Sequence, residues 1–185
     1  MGRAAMSWRA QVAIVVAALA AGAGGLYASH AWFGLNPPPD ALAIGAPAVE
    51  FELPTLDGTS ARRSAFDGRV QVINFWAPWC APCRREIPVL QQLRQEFGAD
   101  RVEVLGIALD EAAAVRDYVG EMGIDYPVLL ASMTDFALMR AYGNDRDALP
   151  FTVIVDARGR VRARKLGEYR EAELRGEVAA ALQTM

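Results

Sequence analysis

The sequence predicts an α/β domain in which helices cover a central sheet, and three observations predict it. Val70–Trp76 and Val102–Leu109 are short, nearly all-apolar runs, the pattern of strands buried on both faces. The stretch between them, from about Pro82 to Phe97, is helical in pattern and closes at Gly98. Strand, helix and strand in that order make a βαβ unit, so the two strands are expected to run parallel. Finally, Phe151–Val155 and Val161–Leu166 flank Asp156-Ala157-Arg158-Gly159, the signature of an antiparallel hairpin.

Residues 1–35 read as a targeting segment. Arg3 and Arg9 precede an apolar run from Val12 to Tyr27. Counted from Ala10 through Phe33, the stretch is long enough to cross a bilayer, which takes about 20 residues. No Lys or Arg follows until Arg62, so the positive-inside rule puts the amino terminus in the cytoplasm. An uncleaved signal anchor is expected; cleavage near Ser29-His30-Ala31 is the alternative. Both export the domain. Residues 36–45 include Pro37-Pro38-Pro39, an extended spacer of about 3.1 Å per residue. The folded domain is expected over 46–185.

Within it, Phe51–Leu53 and Arg62–Phe66 bracket Asp57-Gly58 as a short hairpin. Past the βαβ unit, a helix is expected from about Glu111 to Met122, stopped by Gly123. A short extended segment follows at Tyr126–Leu130, then a helix over Asp135–Tyr142 with Thr134 as N-cap. Arg170–Leu182 closes the chain as an amphipathic helix burying Leu174, Val178, Ala181 and Leu182.

Net charge of −3 and a pI near 5.3 give no basis for nucleic-acid binding. The single histidine, His30, lies in the leader, so neither structural zinc nor any other metal site is expected in the domain. No cofactor is implied.

The chemistry concentrates in Trp76-Ala77-Pro78-Trp79-Cys80-Ala81-Pro82-Cys83, which holds the only two cysteines of the chain. A bridge between them closes too small a loop to stabilise much, which argues against a structural role. Placed where a strand gives way to a helix, the pair meets the backbone N–H groups and dipole of a helix N-terminus. That environment favours a thiolate at the first cysteine. Cys83, one turn on, is close enough to resolve a mixed disulfide at Cys80. The stretch is a dithiol/disulfide redox centre.

Asn74-Phe75-Trp76-Ala77-Pro78-Trp79-Cys80-Ala81-Pro82-Cys83-Arg84-Arg85-Glu86-Ile87-Pro88 resembles the active-site signature of the TlpA/ResA-like, CcmG/DsbE-related, membrane-anchored thiol–disulfide oxidoreductases of the thioredoxin superfamily. Tyr126-Pro127-Val128-Leu129 and Leu149-Pro150-Phe151-Thr152-Val153-Ile154-Val155-Asp156 extend the resemblance, which covers about Ala46 to Leu182. It implies a thioredoxin fold: a central mixed sheet flanked by helices, with an N-terminal β-hairpin extension and a βα insert between about Glu111 and Tyr142, preceded by one transmembrane helix. It assigns Cys80 as attacking thiolate and Cys83 as resolving thiol, and makes Leu149-Pro150 a cis bond facing them. At the position of Asn74, thioredoxin itself carries a buried aspartate that handles the resolving cysteine's proton, which an amide cannot do. The resemblance puts a glutamate at Glu86, three residues beyond Cys83 on the same side of the helix, and Glu86 is the expected acid/base group. Trp79 is expected to shield Cys80, Trp76 to be core, Pro82 to stiffen the turn, and Pro88 to kink the helix. With Leu149, Trp79 and Pro82 are the expected substrate contacts.

The implied activity is reduction of disulfides in specific periplasmic client proteins. Apocytochrome c and copper-site assembly proteins are the candidate clients, and a membrane donor of the DsbD/CcdA kind restores the dithiol. The implied location is the inner membrane, single-pass, with the catalytic domain in the periplasm; a soluble periplasmic form after signal cleavage is the alternative. Gly143–Ala148 lacks the Gly-Val-Pro-Glu-type lead-in of dedicated cytochrome c maturation reductases, which weakens apocytochrome c in particular; Asp145 and Asp147 are candidates for an acidic rim. A disulfide oxidase or isomerase is the alternative within the class. A copper-delivery module is disfavoured by the two-residue cysteine spacing and the absence of histidine after residue 30.

Overall fold

A computed structural model describes Trp8 and residues 42–132 and 136–184. Contacts divide the chain into two units, Met1–Pro39 and Asp40–Met185, and the second carries the fold. The anchor expected over residues 1–35 and most of the proline spacer lie outside the described residues. Among the described residues, no helix is long and apolar enough to cross a membrane.

The central sheet has five strands: β3 (Val70–Trp76), β4 (Val102–Leu109), β5 (Val128–Ala131), β6 (Phe151–Val155) and β7 (Val161–Leu166), in spatial order β5-β4-β3-β6-β7. β3, β4 and β5 run parallel, and β6 and β7 are antiparallel to their neighbours. This is the mixed sheet that the resemblance implied. β3 and β4 are buried at every position, which is why the sequence shows continuous rather than alternating hydrophobicity there.

Alternation reappears in which face each side chain serves. Val72 and Trp76 of β3 pack with Ile87, Leu90 and Leu93 of α1 (Ala81–Phe97), Val115 and Tyr118 of α2 (Ala112–Met122), and Leu174, Val178 and Ala181 of α4 (Glu171–Leu182). Ile73 and Phe75 face the other way, onto Met139 of the five-residue α3 (Ala137–Ala141) and Tyr142 just after it. Thr134 and Asp135, expected at the start of α3, lie outside the described residues.

The N-terminal hairpin pairs β1 (Glu52–Pro54) with β2 (Ser60–Arg62) and reaches β5 through a bridge between Thr55 and Leu129. Its second arm is shorter than expected, because residues Arg63–Phe66 form a 3-10 turn. That turn brings the buried Arg63 guanidinium onto Asp67, 2.7 Å away, and Glu50, 3.0 Å away. Residues 42–48 run beside β7, with Gly45 donating to Val161 and Val161 to Ala46.

Candidate active site

β3 ends at Trp76, and a tight turn delivers the chain into α1 with Cys80 as its N-cap. Cys80 Sγ accepts a hydrogen bond from the Cys83 N–H at 3.3 Å, so the first orphan donors of the helix point at sulfur. Pro82 sits in the first turn of α1, where its missing N–H costs nothing. Cys80 and Cys83 are joined as a disulfide with Cα atoms 5.2 Å apart. Cys83 is sealed at 1% exposed and Cys80 is 5% exposed. Cys80 is the outer cysteine of the pair and Cys83 the inner one. α1 then runs unbroken through Pro88 to Phe97.

Cys80 lies on the wall of an apolar groove of about 420 Å³, together with Trp79, Pro82, Leu109, Phe136 and Leu149. Trp79 lines the groove beside Cys80 and is 60% exposed, while Cys80 itself is buried. It lies in the turn ahead of α1, clear of the core, and flanks Cys80 at the rim of the groove. The Leu149-Pro150 bond is cis. Pro150 is buried and its carbonyl accepts from Gly167 N–H at 2.8 Å, so Leu149 and Ala148 rather than the proline ring line the groove. Asp147 also reaches the groove, but Arg140 is bonded to it, Nε to Oδ1 at 2.9 Å. The acidic rim is thereby largely neutralised on that side.

Behind the disulfide lies a polar nest in an otherwise apolar core. Glu86 is 1% exposed. Its Oε2 accepts from Asn74 Nδ2 at 3.0 Å, and its Oε1 accepts from the backbone N–H of Tyr169 at 2.9 Å. Asn74 Nδ2 also donates to Thr152 Oγ1 at 2.8 Å. Register explains the meeting: Asn74 of β3 pairs with Thr152 of β6, so both side chains stand on the α1 face of the sheet. Burial pushes the Glu86 carboxyl up to about 7, the nearby Glu168 charge adds to the rise, and the bonds from Tyr169, Asn74 and Thr152 oppose it. An acid poised near neutrality is suited to exchange protons. An amide beside it can donate to the carboxylate or, turned over, accept from the acid.

Sequence reasoning placed Cys80, Cys83 and Glu86 on one helix but missed Thr152 and Tyr169. Thr152 left a faint signal, as the lone polar residue of an apolar strand. Tyr169 contributes through its backbone, which no residue pattern marks. Arg84 and Arg85 are turned away from the sulfurs: Arg84 lies 5.3 Å from the Tyr118 ring centroid and Arg85 pairs with Glu168 at 2.6 Å.

A cysteine pair bridged at a helix N-terminus, on a thioredoxin-like sheet and beside a buried acid, defines a thiol–disulfide oxidoreductase. The comparisons with known proteins agree. Residues 44–164 match the model of the AhpC/TSA family. A thiol-disulfide oxidoreductase ResA from Geobacillus thermodenitrificans is 30% identical over 123 residues, 66% of this chain and 68% of its own length. A thiol:disulfide interchange protein of the thioredoxin family from Chlorobium tepidum superposes with a TM-score of 0.66 at 31% identity, covering 77% of this chain and 99% of its own. A secreted thiol-disulfide isomerase from Corynebacterium glutamicum superposes at 0.67 with 26% identity, over 74% of this chain and 85% of its own. The chain belongs to the AhpC/TSA family of the thioredoxin superfamily, among its TlpA/ResA-like thiol–disulfide oxidoreductases.

Proposed function

We propose that this oxidoreductase is a reductant of client disulfides, held in the inner membrane by residues 1–35 with its thioredoxin-like domain in the periplasm. The observation that carries the proposal is the asymmetry of the pair. Cys80 opens to an apolar groove, whereas Cys83 is sealed on the side of Glu86. Cys80 thiolate attacks the client disulfide; a Cys80–client bond forms, and the client's other sulfur leaves as a thiolate. Glu86 carboxylate takes the proton of Cys83, whose thiolate attacks Cys80. The Cys80–Cys83 bond then forms as the client's second sulfur departs, so the client gains the two electrons that the dithiol loses.

Trp79, Pro82 and Leu149 hold the client chain in the groove. Among the described residues, neither the N–H nor the carbonyl of Leu149 has an intramolecular partner, which leaves both free for an extended peptide. A membrane donor of the DsbD/CcdA kind returns electrons to the pair, and apocytochrome c or copper-site assembly proteins are the client classes. An oxidising compartment is where a reductant needs such a dedicated supply.

The test is a Cys83→Ala variant expressed at native level, with its mixed disulfides captured and the partners identified. Discrete clients released by reductant support the proposal; an empty trap at Cys80 sinks it. Reduction potential separates the oxidase or isomerase alternative: a pair as oxidising as a disulfide-forming enzyme, at about −120 mV, overturns the direction assigned here.

A further inference from the structure

The sheet face that carries Glu86 also holds three polar groups unmatched by any described protein atom: Trp76 Nε1 and the hydroxyls of Tyr118 and Tyr126. Their side chains are 0%, 6% and 4% exposed. An unpaired buried donor is costly, and native proteins satisfy such groups with ordered water where no protein atom is in reach.

The three are neighbours. The Trp76 and Tyr118 rings lie 5.7 Å apart, centroid to centroid. Trp76 and Tyr126 meet over Gly106, where a methyl group would come within 2.8 Å of Tyr126 Cε2 and 3.0 Å of Trp76 Nε1. Gly106 stands in register with Asn74, whose amide holds Glu86. A glycine at that position admits the Tyr126 ring beside the Asn74–Glu86 pair. Tyr126 also lines a second cavity of about 340 Å³, between the β1–β2 turn at Thr55 and Leu56 and the end of α2 at Val119. That cavity shares no lining residue with the groove at Cys80.

We propose that Trp76, Tyr118 and Tyr126 hold ordered water behind the disulfide, and that this water and the Tyr126 hydroxyl carry the proton of Glu86 out to the cavity beside the hairpin. The inference rests on the acid/base role of Glu86 given above. A Glu86 that already carries a proton cannot take that of Cys83, so resolution of the mixed disulfide waits until the acid has lost its own. A client seated in the groove closes the Cys80 side. The Tyr126 hydroxyl is itself buried: it accepts a proton from water on the Glu86 side and releases its own to the cavity when the ring swings outward, with no net charge left behind. The titratable groups facing Tyr126 are Glu86, Tyr118 and Asp125, with Asp57 on the wall of the same outer cavity, and burial holds the Tyr126 phenol neutral. Glu86 itself faces Glu168 as well.

The experiment mixes the reduced full-length protein with a fluorescent peptide bearing one intramolecular disulfide. Formation and resolution of the mixed disulfide are followed separately, in H₂O and D₂O and across neutral pH. The proposal expects Tyr126→Phe to slow resolution about tenfold, less than the roughly 100-fold or more lost with a direct general acid or base because Tyr126 only relays the proton, and to enlarge its solvent isotope effect. Val119→Trp, which fills the outer cavity, is expected to slow resolution as well. Wild-type resolution in either variant overturns the route, and so does an equal slowing of both steps. Glu86→Gln separates the two claims. Resolution at the wild-type rate in Glu86→Gln removes the acid/base role itself, whereas slow resolution there with normal Tyr126→Phe removes only the route.

Discussion

Glu86→Gln tests the buried acid directly through stability. The ordinary carboxyl value of 4.5 is raised to about 7 in the folded protein, so the folded state binds this proton more tightly than the unfolded chain. The stability contributed is fully present below 4.5 and is lost as pH rises through about 7. Each pH unit of difference corresponds to 1.36 kcal/mol, so the rise from 4.5 to about 7 corresponds to about 3 kcal/mol. The assay is urea unfolding of the oxidised protein, in which the cysteines do not titrate, at fixed ionic strength from about pH 4 to about pH 8. Wild type is expected to lose about 3 kcal/mol across that window, and the Gln variant to lack this component. Glu50, Glu52, Asp57, Asp147 and Glu173 are all shifted downward. Their contributions are present above the unfolded carboxylate range and fail as pH falls below it, so they have the opposite sign and a lower window. Identical pH slopes for the two proteins between 4.5 and about 7 would refute the reasoning.

Other outcomes follow from the same geometry. Asn74→Ala removes the donor to both Glu86 and Thr152 and is expected to cost about 1–3 kcal/mol, read by urea unfolding above the Glu86 transition. Glu103 is buried and accepts from Arg94 Nε at 2.6 Å and Arg69 Nη1 at 3.3 Å; Glu103→Ala is expected to cost about 2 kcal/mol, because both arginines keep partial solvent contact. Gly106→Ala forces a methyl against Tyr126 and Trp76, and an overpacking loss of about 1–3 kcal/mol is expected by thermal unfolding. Trp79→Ala, at a 60% exposed site, should leave the unfolding midpoint within about 0.5 kcal/mol of wild type while weakening reduction of a peptide disulfide, measured as kcat/KM.

The elements legible in the sequence are those whose signal is local. β3, β4 and β6 are the apolar runs themselves, β7 follows from the turn at Asp156–Gly159, and the start of α1 at the cysteine pair follows from a strand giving way to a helix. Boundaries failed where tertiary contacts override pattern. Arg63–Phe66 reads as strand but turns to bring a buried guanidinium onto Glu50 and Asp67.

By itself, then, the sequence determined the α/β order of elements, the redox pair and its place at a helix N-terminus, all consequences of neighbouring residues. Only the tertiary structure decided what surrounds the pair's inner member. Glu86 is bonded by an amide 12 residues upstream and by a backbone N–H 83 residues downstream. Strand register and the docking of the segment before α4 bring them together. The acidity of Glu86 is a property of that burial: the same glutamate on an exposed helix start carries no such perturbation, because water solvates its charge.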